Sequence, residues 1–112
     1  MLAVPRAALR ARLRDAQYVK LPGSRRFLDD VRARTRDGET VAVLAPPIAG
    51  AEYYLFARSL YPLAGRHVVT SPAGADAIAA YRVVPRVPGF AIVWRSEDGV
   101  LLRRSRATRG AR

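Results

Sequence analysis

The amino-acid sequence predicts a small α/β domain: a βαβ core on a short, mostly parallel sheet with a C-terminal β-hairpin, arranged as a two-layer or three-layer sandwich. Three observations predict it. Thr40–Ala45 (TVAVLA) is an unbroken β-branched and aliphatic run of strand length, the pattern of a strand buried on both faces. A helical pattern from Ala51 to Tyr61 separates it from a second β-rich run, Arg66–Thr70 (RHVVT), which gives the strand, helix, strand order of a crossover unit. Two further β-rich runs, Phe90–Arg95 and Val100–Arg103, flank a turn that contains Asp98-Gly99, a dipeptide suited to a tight antiparallel connection.

The chain has 112 residues, enough for one core and too few for two. Half its residues are apolar and 26% are charged, a balance that folds. It divides into a single domain over 1–104 and a disordered basic tail over 105–112. Net charge is +11, and every basic residue except Lys20 is arginine. A positive excess of that size suits nucleic acid, anionic lipid or an acidic partner. A GC-rich coding sequence gives the same bias with no functional cause.

The N-terminal portion opens the domain with a basic amphipathic helix, Arg6–Val19, after Pro5, which is tolerated in a first turn because its missing N–H would be unpaired there. Leu9, Leu13 and Ala16 line one face; Arg6, Arg10 and Arg14 line another. Residues 1–14 lack the apolar centre of a secretory signal, and no stretch reaches the length of a membrane-spanning helix. The compartment stays unknown, open between cell-envelope associated and cytoplasmic. A second helix is expected from Ser24, as N-cap, to about Thr35, with Phe27, Leu28 and Val31 buried and Asp29 and Asp30 near its positive end. Arg36-Asp37-Gly38 ends it in a turn. In the helix Ala51–Tyr61, the residues Tyr53, Phe56, Ala57 and Leu60 form the expected inner stripe, and Pro62 closes it. Ser71-Pro72 opens a further short helix, Ala73–Tyr81. Phe90 and Trp94, four apart in one strand, are expected on the same face.

Chemistry-bearing patterns are sparse. There is no cysteine, which removes disulfides, thiolate metal ligands and a cysteine nucleophile. His67 is the only histidine and lies in a predicted strand, so a conventional nucleophilic triad has one available base and no spaced partners. The acids Asp29-Asp30 and Glu97-Asp98 sit at structural positions, and neither GxGxxG nor GK[ST] occurs. No catalytic set, cofactor or metal is expected.

The segment that stands out is Tyr53-Tyr54-Leu55-Phe56-Ala57-Arg58-Ser59-Leu60-Tyr61-Pro62, followed by Arg66. It resembles a YYxxRYxLYPR-type stretch in soluble α/β segments attached to bacterial polytopic membrane proteins of the lipid-linked sugar glycosyltransferase type. The resemblance covers Phe27 to Val69 and includes the order of elements around the tyrosines. It departs where Leu63, Ala64 and Gly65 separate Tyr-Pro from the arginine. What it implies is a non-catalytic accessory or binding domain of an envelope protein, with a polytopic membrane protein, an anionic lipid or a sugar phosphate as partner.

Tyr54, Arg58 and Tyr61 are spaced four and three apart, which places them on one helix face where an arginine can stack on rings or grip a phosphate. With Arg66 and His67 they form the candidate ligand-binding set. Two other readings stay open: nucleic-acid binding through the basic surface, and a small Rossmann-like enzyme with its site at the carboxyl ends of the parallel strands.

Overall fold

Strand β1 (Thr40–Leu44) holds the middle of the parallel part of the sheet. In the computed structural model, which describes residues 21–105, it pairs in parallel with β2 (His67–Val69) on one edge and β3 (Ala77–Tyr81) on the other. Val41, Ala42 and Val43 are buried in consequence, since both edges and both faces of the strand are occupied. Strand β5 (Gly99–Arg104) pairs antiparallel with β3, and β4 (Phe90–Ser96) pairs antiparallel with β5. The result is a small α/β domain with a five-stranded mixed sheet of order β2-β1-β3-β5-β4 and two described helices. The expected mostly parallel sheet is thereby corrected, because antiparallel pairings hold half of the ladder.

The helices are α1 (Ser24–Ala33), which precedes β1, and α2 (Ala51–Ser59), which joins β1 to β2. Phe27, Leu28 and Val31 of α1 and Ala51 and Leu55 of α2 share one apolar cluster with Val41, Val43, Ala77, Ala79, Tyr81 and Leu101. These strand residues alternate with Ala42, Ile78, Ala80, Val100 and Leu102, which form a second cluster on the other face with Ala75. The two parallel connections thus leave on opposite faces: α2 on the first, the segment through Ala75 on the second. Connections of one handedness that run in opposite lateral directions must do so.

Four expectations are corrected. Ala77–Tyr81 is a strand and not the end of a helix over Ala73–Tyr81; all five residues are buried between β1 and β5. Where β5 starts beside Tyr81, Gly99 is required, because a Cβ there would overlap the Ala80 carbonyl and crowd the Phe27 ring. The inner stripe of α2 is Ala51, Leu55 and Ser59, continued by Leu63, whereas Tyr53, Ala57 and Leu60 face outward. Ser59 can be buried because its hydroxyl donates to the Phe56 carbonyl at 2.6 Å. Phe90 and Trp94 lie on opposite faces, because the ladder slips between Ile92 and Trp94 and Val93 is the extra residue of a bulge. Phe90 and Ile92 join the second cluster; Trp94 stacks on Phe27 at 5.9 Å in the first.

The fourth correction concerns the start of α1. Ser24 does not cap it with its side chain; Gly23 is the N-cap, in the left-handed region at φ 74°. A Cβ at Gly23 would collide with the Asp98 carboxylate, which comes from the β4–β5 turn to lie against the helix start. Asp29 and Asp30 are a turn further in, where they pair with Arg25 and Arg34 along the helix. The predicted helix Arg6–Val19 and the tail from 106 onward lie outside the described residues.

Candidate functional site

Most arginines of the described residues are tied down, and this decides which can act on a ligand. Arg66 is the clearest case. Its side chain is 6% exposed, and Nε donates to Thr35 Oγ1, Nη1 to Asp37 Oδ1 and the Ala64 carbonyl, and Nη2 to the carbonyls of Arg32 and Thr35. All five guanidinium donors are thus used. Two of those carbonyls lie at the carboxyl end of α1, where a cation also meets the negative end of the helix dipole. Arg66 clasps the end of α1 to the start of β2, and no donor is left for a ligand.

Arg103 does the same across the sheet end. It donates to both oxygens of Glu39, at 2.7 and 3.0 Å, and to the Arg34 carbonyl. The hydrogen bond from Arg103 holds the Glu39 carboxyl below its ordinary range, and Glu39 raises the arginine in return. At the opposite end, the Asp98 side chain is 2% exposed and accepts from Arg26 at 2.9 and 3.2 Å and from Arg82 at 3.4 Å. The Arg26 hydrogen bond pulls the Asp98 carboxyl down, overcoming the upward push of burial. Arg82 meets it with a positive φ of 51°, the one non-glycine residue in that region among those described. Tyr81 is shifted upward by burial, and its hydroxyl donates to the Pro22 carbonyl. These are fold-holding contacts.

The candidate residues Tyr54, Arg58, Tyr61, Arg66 and His67 do not share one cavity. Tyr54 is half-buried against the first cluster, its ring edge-on to Tyr53 at 5.5 Å. His67 is exposed at the start of the edge strand β2. Arg58 and Tyr61 border neighbouring hollows on the seam between α1 and α2. One, about 300 Å³, is lined by Ser24, Arg25, Leu28 and Arg58; the other, about 350 Å³, by Arg25, Asp29, Arg32, Tyr61, Pro62 and Ala64. Arg25 belongs to both and lies over the Tyr61 ring at 5.6 Å. Arg25 and Arg32 are the residues that sequence reasoning missed. Both belong to α1, so nothing local links them to the tyrosine segment.

Beside the seam runs an exposed apolar stripe. Tyr53 is 69% exposed, Leu60 52% and Tyr61 78%; Tyr53 and Ala57 are on the outer side of α2, and Leu60 and Tyr61 continue the stripe into the turn after it. A hollow of about 580 Å³ lies on the other face under the loop from Val84 to Pro88, with Phe90, Ile92 and Leu102 as its floor. Among the described residues no group of three His, Cys, Asp or Glu side chains is placed to hold a metal, and no helix is long and apolar enough to cross a membrane. Comparison with protein-family models, with curated proteins and with solved structures finds no match for the chain.

Proposed function

We propose that this chain is a non-catalytic accessory domain that docks on an anionic membrane surface, as part of or beside a polytopic envelope protein. One observation carries the reading: the outer side of α2 and the turn that follows it present Tyr53, Leu60 and Tyr61 to solvent, with Arg58 on the helix and Arg25 over the Tyr61 ring. Tyrosines have an apolar body and a polar tip and favour the lipid–water boundary, and arginine beside them suits anionic headgroups. The domain is read as a two-layer sandwich in which the helices cover one face of the sheet and a C-terminal β-hairpin extends it. That arrangement leaves the outer side of α2 available.

Nucleic-acid binding is less well supported. Bases stack on exposed aromatics, commonly on a sheet face. Phe90 and Trp94 are half-buried on opposite faces, and Trp94 already stacks on Phe27 and has the Arg34 guanidinium over its ring. Cosedimentation at low salt with vesicles of phosphatidylcholine and phosphatidylglycerol tests the reading. The wild-type chain is expected to bind these and to leave pure phosphatidylcholine largely unbound, and Y53S/L60S is expected to release it from the mixed vesicles. Absence of the wild type from the vesicle pellet at low salt overturns the proposal, and a DNA gel shift without vesicle binding moves the function to nucleic acid.

A further inference from the structure

The geometry points to the cavity between Arg25, Arg32 and Tyr61 as a site for one singly charged phosphodiester, that of an anionic phospholipid headgroup. This rests on the membrane-docking reading and names the group that the surface would hold. Arg25 uses only Nε, toward both oxygens of Asp29 at 3.1 and 3.2 Å. Arg32 uses only Nη1, toward the carbonyls of Pro62 and Ala64 at 2.9 and 3.3 Å. The other guanidinium donors of both have no acceptor among the described residues, in contrast to the saturated Arg66. The Tyr61 hydroxyl, on a side chain 78% exposed, is at the same cavity and next to the apolar stripe.

Charge selects the ligand. Two guanidinium groups and the Asp29 carboxylate leave the cavity one positive charge. A phosphodiester carries one negative charge and balances it, whereas a dianionic phosphate monoester would add a second charge close to Asp29. Planar forked donors suit the two free oxygens of a phosphodiester. Leu60 and Tyr61 beside the cavity place those oxygens at the depth where a lipid headgroup meets its acyl chains.

The test uses R25Q and D29N, which alter the same exposed ion pair in opposite electrical senses. Vesicle affinity on phosphatidylglycerol mixtures is expected to fall about fivefold in R25Q, the worth of one basic residue near an anionic surface. It is expected to rise by a similar factor in D29N. If the ion pair were merely structural, both variants would weaken alike, and that result or unchanged affinity in both overturns the site while leaving wild-type docking intact. If the wild type binds no vesicle, the docking reading itself fails. The cavity is then titrated with glycerophosphoglycerol by NMR: shifts at Arg25, Arg32 and Tyr61 support a phosphodiester site, and no shift refutes it. Binding of single-stranded DNA that R25Q abolishes, without vesicle binding, assigns the phosphodiester to nucleic acid and refutes the lipid.

Discussion

Removing the Arg66 guanidinium tests how much of the domain hangs on one buried cation. Arg66→Ala deletes five hydrogen bonds, of which those to the Thr35 carbonyl and the Thr35 hydroxyl are partly buried. Each acceptor left dry costs about 1–3 kcal/mol. The exposed acceptors at Arg32, Ala64 and Asp37 recover water, and the pair with Asp37, whose side chain is 83% exposed, is worth at most about 1 kcal/mol. Loss of the cation at the end of α1 adds about 0.5 kcal/mol. The sum is about 4 kcal/mol, which for a domain of this size lowers Tm by roughly 15–30 °C. Calorimetry or urea unfolding of Arg66→Ala and Arg66→Lys measures it. Lysine restores the charge but not the fork, so it should recover only a minor part. A Tm within a few degrees of wild type for Arg66→Ala would refute the clasp and return Arg66 to the ligand-binding set.

Further outcomes follow from the same contacts. Asp98 and Glu39 both have carboxyls lowered in the folded chain, so their stabilisation is complete above the ordinary carboxylate range, about pH 4, and is lost as pH falls through their folded values. Urea unfolding between pH 6 and 2 should show that decline, and D98N should flatten it while lowering stability at pH 6. Gly23→Ala combines a left-handed backbone with a Cβ that overlaps Asp98 and should cost about 2 kcal/mol or more by the same unfolding measurement. Deleting Val93 removes the bulge but keeps Trp94 opposite Leu101, so Trp94 fluorescence should stay near wild type with a change in stability of about 1 kcal/mol or less. Deleting Ala91 shifts Ile92 out of register with Leu102 and should disturb the second cluster strongly.

The parallel strands β1 and β2 and the helix between them could be read directly, because β-branched runs and a helical spacing are local signals. β3 could not. Its AIAAY favours helix by intrinsic propensity, and only β1 and β5 on its two edges make it a strand. Helix α2 misled for a different reason: Tyr53, Tyr54, Leu55, Phe56, Ala57 and Leu60 put apolar groups nearly all round it. Periodicity then left the inner side undecided, and a buried serine completed it. The bulge at Val93 reversed the face of Trp94 without a glycine or proline to announce it. Of the candidate site, the tyrosine-bearing helix was visible in the sequence. Its partners Arg25 and Arg32 were not, and neither was the consumption of Arg66 by backbone carbonyls, because those acceptors are brought together only by the tertiary fold.

The proposed membrane docking is decided by which surface of the domain, if any, meets the bilayer. Paramagnetic broadening of backbone NMR signals by a gadolinium-labelled lipid in phosphatidylglycerol-containing vesicles reads this residue by residue. Strongest broadening should fall on Tyr53, Ala57, Leu60 and Tyr61, with Arg25 and Arg32 next. Broadening centred instead on Val84, Arg86 and Val93, across the sheet, would contradict it.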